Sequence, residues 1–257
     1  MVKIIMNINS FWVSTVPRTG SMWLYNVTRE ILRLSKINVL PTQIPKSDRK
    51  FFEIFENQSL IDQNNSNKYI FKIHKILKPN LPRSKILTII RDPRDVCISF
   101  KEFMKTDFET ALKAAKDLLK YEKIYKKYDK NYLKIFRYED IENRSIETIL
   151  EIAKFIGYEI NFKTAEEISL KYNKKQVKNL IKRNDENLLS QIENKEDLDK
   201  SSIVYSKDSY RSFDTKTGFQ TNHISNRNSG DWKKSFSSKE IEILNLEFKD
   251  FISEYNF

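Results

Sequence analysis

Ser10 to Trp23 reads SFWVSTVPRTGSMW, and the organisation of the chain can be worked outward from it. Ser10 to Thr15 is a short run of aromatic and β-branched residues, the composition of a strand. Pro17 and Gly20 then break regular structure. From Ser21 to Lys36 the residues Met22, Leu24, Tyr25, Ile31, Leu32 and Leu34 recur at roughly helical spacing, and Ser21 stands where an N-cap belongs. The unit is strand, tight loop, helix. Such a loop points backbone N–H groups at one spot, and the helix start adds partial positive charge, so an anion binds there readily. Gly20 lets the backbone come close, Thr19 and Ser21 offer hydroxyls, and Arg18 supplies a forked, permanent cation suited to phosphate oxygens. The plain alternative is an ordinary strand-to-helix turn containing a glycine.

Further along, Tyr69 to His74 (YIFKIH) alternates as a second strand does. Lys85 to Ile90 (KILTII) is nearly continuous apolar sequence, which suits a central parallel strand covered on both faces. Asp92-Pro93 then opens a helix through Val96, Phe100 and Phe103. A long helix is predicted over Ala111 to Tyr128, a strand over Tyr132 to Arg137, and a helix over Ile146 to Ile156 ended by Gly157. Strands alternating with helices predict one α/β domain over residues 1–257, P-loop-like, with a central parallel sheet flanked by helices. Ligands of such sheets sit beyond the carboxyl ends of the strands. Pro17 to Trp23, His74 and Arg91 to Ser99 all fall there. Lys171 to Gln220 is polar and hard to read. It carries one predicted helix (Glu186 to Leu198) and a loop-like part after Ser201, and reads as a mobile segment over the site. A last helix, Ser238 to Tyr255, is capped by Ser237 or Ser238 with Glu240 nearby.

The composition bounds what this chain does. Its 257 residues are 39% hydrophobic and 12% aromatic, enough for a real core. The net charge of +11 is compatible with nucleic acid, an anionic membrane surface or a small anionic ligand. Lysines spread along the whole chain also produce it without any binding role. The Lys/Tyr-rich helix at 120–128 lacks a recognisable nucleic-acid module, so no nucleic acid is expected. A single cysteine, Cys97, excludes an intrachain disulfide. No stretch approaches ~18 apolar residues, so no membrane span is expected. Met1 to Ser14 lacks the features of a secretory leader, which predicts a cytoplasmic protein. No carboxylate or His/Cys cluster has metal-ligand spacing, so no metal is expected.

The loop is not a Walker A sequence, because nothing equivalent to its Gly-Lys pair is present. With the motifs that follow, it resembles the 5′-phosphosulfate loop of sulfotransferases that use 3′-phosphoadenosine 5′-phosphosulfate (PAPS). The family pattern there is Pro-Lys-Ser-Gly-Thr-Thr-Trp, and Met22 stands where the family has a hydroxyl. Arg91-Asp92-Pro93-Arg94-Asp95-Val96 is similar to the family's strand-end cluster. The resemblance implies that Arg91 and Ser99 bind the 3′-phosphate. Phe71-Lys72-Ile73-His74, followed by Leu81-Pro82, matches the family's Lys-x-His, which implies His74 as general base. Lys72 then lies on the same side of its strand as His74. Phe136-Arg137-Tyr138-Glu139-Asp140 resembles a stretch whose tyrosine, here Tyr138, contacts the adenine end, and Trp23 is implied to stack on adenine. Gly230-Asp231-Trp232-Lys233 resembles the C-terminal family motif. Ser225-Asn226-Arg227 occupies the register of the family's Arg-Lys-Gly, with Arg227 substituting from a shifted place.

These matches run from residue 11 to about residue 236. They imply sulfuryl transfer from PAPS to a hydroxyl or amine of a small-molecule or glycan acceptor, leaving adenosine 3′,5′-bisphosphate (PAP). Arg18 and Lys72 would neutralise developing negative charge, with no metal required. Two other readings stay open: an ATP-dependent small-molecule kinase of P-loop type, and a basic nucleic-acid-binding protein. The acceptor would be chosen by loops such as 41–66 and 195–225. The oligomeric state is not legible, a homodimer included.

Overall fold

A computed structural model describes residues 8–58, 67–79, 81, 83–206 and 209–257. Pro82 of the Leu81-Pro82 match, part of the acceptor loop (59–66) and the first half of the N-terminal stretch lie outside those residues. The chain begins β1 (Ser10–Ser14), α1 (Ser21–Leu34), β2 (Asn38–Leu40), α2 (Asp48–Gln58), β3 (Asn67–Ile73) and β4 (Ser84–Ile90). It continues α3 (Pro93–Met104), α4 (Phe108–Tyr125), β5 (Leu133–Arg137), α5 (Tyr138–Asn143) and α6 (Ser145–Ile156). The strands form a parallel sheet in the order β2-β3-β1-β4-β5, the α/β arrangement expected. All five residues of β1 are buried, as the central position requires. Ser14 pairs with Ile73 of β3, and Val13 with Leu87 of β4. The loops after these three strands therefore leave the same edge side by side.

The core explains why this register holds. The Trp12 ring lies 4.4 Å from Phe71 and 4.9 Å from Phe55 of α2, which was not predicted. A one-residue slip would send this aromatic layer to the wrong face. α3 starts where the sequence says: the Asp92 carboxylate accepts from the Arg94 N–H at 2.9 Å, with Pro93 at the first helical position. Gly157 ends α6 in the left-handed conformation.

The remaining elements are α7 (Phe162–Lys171), α8 (Lys174–Glu193), the hairpin β6 (Ile203–Ser206) with β7 (Ser209–Ser212), α9 (Ser238–Glu247) and α10 (Lys249–Tyr255). Several expectations are corrected here. The helix placed at 186–198 is α8, capped by Asn173 and starting twelve residues earlier. Its buried stripe is only Val177, Ile181 and Leu188, too thin a periodicity to find in a polar helix. The loop-like stretch after Ser201 contains an antiparallel hairpin, Val204 opposite Arg211 and Tyr205 opposite Tyr210. α4 runs from Phe108 to Tyr125 rather than 111–128, because Asp107 caps it through the Thr110 N–H. The last helix breaks at Phe248, which leaves helical geometry (φ −112°) and buries its ring. Its predicted start is right, with Ser237 and Glu240 forming a capping box.

Candidate active site

The loop after β1 is built around two left-handed residues. Gly20 (φ 96°) is the N-cap of α1 and makes no side-chain cap, so the helix start keeps its N–H groups for another partner. Arg18 (φ 71°) holds the same conformation despite its side chain, a strain of about 1–2 kcal/mol. A Cβ on Gly20 would lie 2.9 Å from the Tyr138 ring, so glycine is required by contact as well as by φ. The Arg91 guanidinium stacks on the Tyr138 ring at 3.9 Å and donates to the Arg18 carbonyl at 3.0 Å. The ends of β1, β4 and β5 are thus locked together through one aromatic ring. The Thr19 hydroxyl does not face a ligand, contrary to expectation. It is fully buried, 2.7 Å from the Thr15 hydroxyl and 2.8 Å from the Val16 carbonyl, and closes the loop from inside. A backbone N–H is what Thr19 has left to offer.

Above this loop lies a cavity of about 900 Å³. Arg18, Gly20, Ser21, Met22 and Trp23 line it from the loop, and Arg91, Ser99, Tyr138 and Arg227 line it from elsewhere. The structure thus brings nine of the ten residues singled out for nucleotide binding to one space. Two of its guanidiniums keep a buried donor without a partner, Arg91 Nε and Arg227 Nη1. Such donors are costly unless something completes them. Arg227 is otherwise ion-paired with Glu102 of α3. Arg18 donates from Nε to the Ser99 hydroxyl at 3.0 Å and lies 4.3 Å over the Phe103 ring. Burial, and then Arg91 beside it, brings the Arg18 guanidinium down to about 10.

Lys72 and His74 lie outside that lining, as an adjoining pair. Lys72 Nζ is 2.9 Å from His74 Nε2, and His74 Nδ1 is 2.8 Å from the Thr15 carbonyl. The second contact requires a proton on Nδ1, so Nε2 carries the lone pair, and the Lys72 ammonium donates to it. Burial, then the Lys72 charge, hold the imidazole down to about 3. His74 is therefore neutral at physiological pH. Burial brings Lys72 down to about 8, opposed by Asp48. Asp48, the first residue of α2, also accepts from the His74 backbone N–H at 2.7 Å.

The segment that resisted sequence reading carries more of the site. Residues 213–229 form a strap from the hairpin to Gly230. α1 ties it down from one face: Arg29 donates to the Lys216 carbonyl at 2.8 Å, and Asn26 to the Thr217 carbonyl at 2.8 Å. Met22, which stands in place of a hydroxyl, packs its methyl group against Gly218. Arg18 holds the strap from below, donating to the His223 carbonyl at 3.1 Å. Further on, the Gly230 N–H donates to Asp95 at 2.9 Å, and Trp232 lies under the Arg94 guanidinium at 4.2 Å. Strap residues Phe219, His223 and Ile224 line the cavity, as does Lys174 of α8. Among the described residues no group of three His, Cys, Asp or Glu side chains could hold a metal ion.

A family model described as the sulfotransferase domain matches residues 9–254. Retinol dehydratase in complex with androsterone and inactive cofactor PAP is similar at a TM-score of 0.61 and 15% identity, over 96% of this chain and 83% of that one. Retinol dehydratase with retinol and PAP gives 0.62 and 14%, over 96% and 82%. A mouse sulfotransferase complexed with PAP gives 0.61 and 13%, over 95% and 84%. These likenesses establish the fold. No curated protein sequence matches significantly.

Proposed function

The chain belongs to the sulfotransferase domain family, and on that premise we propose that it is a cytoplasmic enzyme moving a sulfuryl group from PAPS to a hydroxyl or amine of a small-molecule or glycan acceptor. The observation that carries this reading is the convergence of Arg18, Ser21, Arg91 and Ser99 on one cavity, with Arg91 Nε buried and unpartnered there. These residues suit a ligand with two separate anionic ends. Gly20, Ser21 and the start of α1 would hold the 5′ end, Arg91, Ser99 and Arg227 the 3′-phosphate, and Trp23 and Tyr138 the adenine. PAPS, when bound, supplies the sulfuryl group, and PAP is what remains.

The protein's own contribution is positioning and charge. Arg18 and Lys72 place cations where negative charge grows on the leaving side, preorganised and partly shielded from water. His74, neutral and held in one tautomer by the Thr15 carbonyl, takes the acceptor's proton at Nε2 as the new bond forms. Lys72 must then release that nitrogen, and a bound anion beside it gives the ammonium a better partner. The rigid strand ends hold these groups in line, which is where most of the rate in such a transfer originates.

Isothermal titration with PAP and with ATP tests the donor class. We expect PAP to bind and ATP to bind much more weakly; preference for ATP would establish a kinase instead. With labelled PAPS, His74→Ala should lose on the order of 100-fold in kcat. Near-normal turnover by that variant would remove His74 from the base role.

A further inference from the structure

His223 is a half-buried imidazole that the mechanism above does not use. Its ring stacks on Phe103 (centroids 5.7 Å apart, interplanar angle 18°) and meets the edge of Phe219 at 6.0 Å. Its backbone is fixed at both ends: the carbonyl accepts from Arg18, and the N–H donates to the Gln220 carbonyl at 2.9 Å. The ring therefore sits in one place before any ligand arrives. It lines the cavity, yet Nδ1 is buried and has no hydrogen-bond partner. A neutral imidazole offers one donor and one acceptor, and leaving either unmade in a low-dielectric site is costly.

The bond from Arg18 to its carbonyl places this residue beside the transfer machinery. Burial first, and then the charges of Arg18, Lys72 and Arg211, hold the His223 imidazole well below its usual range. It is thus a neutral ring beside a cationic cluster. The imidazole of His74 has both nitrogens engaged, one by Lys72 and one by Thr15. Of the two rings, His223 is the one with a nitrogen to offer a newcomer. Its neighbours on the strap, Phe219 and Ile224, present apolar surface to the same cavity.

We propose that His223 binds the acceptor: its Nδ1 hydrogen-bonds the reactive hydroxyl or amine and sets that group's approach to His74, while Phe219 and Ile224 take an apolar body. This rests on the sulfotransferase reading. His223 is an acceptor-binding residue in this account, and the proton still leaves through His74. The strap brings it there, which gives the poorly readable region between α8 and Gly230 a role in acceptor choice.

The test uses the full-length enzyme, labelled PAPS and 2-naphthol as an acceptor with one hydroxyl and an apolar body. His223→Phe keeps the stacking on Phe103 and removes the nitrogens; His223→Asn restores a polar group near the Nδ1 position. Thermal melts show whether each variant folds. We expect His223→Phe to raise the KM for 2-naphthol about 10-fold, the value of one hydrogen bond. We expect His223→Asn to recover part of it, with PAP affinity unchanged in both. Unchanged KM in a folded His223→Phe overturns the inference, as does failure of the wild type to sulfate 2-naphthol while PAP binds. A PAP affinity that falls in parallel overturns it too, by assigning His223 to the donor side. Failure of the wild type to bind PAP removes the sulfotransferase reading itself, and this inference with it.

Discussion

Gly20→Ala isolates the contact that holds the loop together, because Gly157 is a matched control. Both glycines are left-handed, at φ 96° and φ 91°. An alanine in that region is strained by about 1–2 kcal/mol. Losing glycine's freedom in the unfolded chain offsets about 0.4–1 kcal/mol of this. Both substitutions should therefore cost about 1 kcal/mol from backbone conformation alone. At Gly157 nothing lies within 4 Å of the added methyl, so the cost ends there. At Gly20 the methyl would sit 2.9 and 3.2 Å from two atoms of the Tyr138 ring. That ring cannot recede freely, because Arg91 lies 3.9 Å from its centre and is itself bonded to the loop. Overpacking of this kind adds about 1–3 kcal/mol. For a chain of this size, each kcal/mol moves the melting temperature by roughly 2–4 °C. Gly20→Ala should therefore melt roughly 2–12 °C below Gly157→Ala. Differential scanning calorimetry of the two variants side by side measures the gap. Equal melting temperatures would refute the claim that Tyr138 packs directly on the loop.

Three further outcomes follow. Lys72, brought down to about 8 by burial, is charged below that pH and neutral above it, so raising the pH removes a cation from an anion site. PAP affinity should fall on the alkaline side near pH 8 rather than near ~10.4, and Lys72→Arg should abolish that limb in titrations across the range. Arg91→Lys loses the planar stack on Tyr138 and the unpartnered Nε donor, and should weaken PAP binding roughly 10- to 100-fold by calorimetry. Arg29→Met leaves the Lys216, Pro41 and Thr42 carbonyls without their buried cation, and should lower stability by about 3–5 kcal/mol in denaturant unfolding; a smaller loss than ~1 kcal/mol would show that the strap does not depend on it.

The parts of this molecule that announce themselves in sequence are those governed by short-range rules. β1, β4, the start of α3 and the end of α6 follow from apolar runs, Asp92-Pro93 and Gly157, where local chemistry decides the backbone. The loop from Pro17 to Trp23 was legible for the same reason. What Thr19 does was not: its spacing is that of a ligand-facing hydroxyl, and only the fold places Thr15 beneath it. α8 and the hairpin were missed because their stability comes from a few long-range contacts rather than from periodicity. His223 carried one faint signal, as one of only two histidines in the chain. Nothing in its neighbourhood says that Arg18, nearly the whole chain away, would hold it over the cavity.

The strap's attachments have a consequence for how such a protein can change. Arg29, Asn26 and Arg18 all grip it by main-chain carbonyls, at Lys216, Thr217 and His223. Every residue type presents a carbonyl, so these three grips do not depend on which side chains positions 216, 217 and 223 bear. A substitution at position 216 or 223 leaves each grip intact while altering what the segment displays. The molecule thus separates a nucleotide loop, fixed by its own side chains, from a strap whose more exposed side chains can change at little structural expense. Changes of acceptor preference would accumulate there first, along a backbone that need not move.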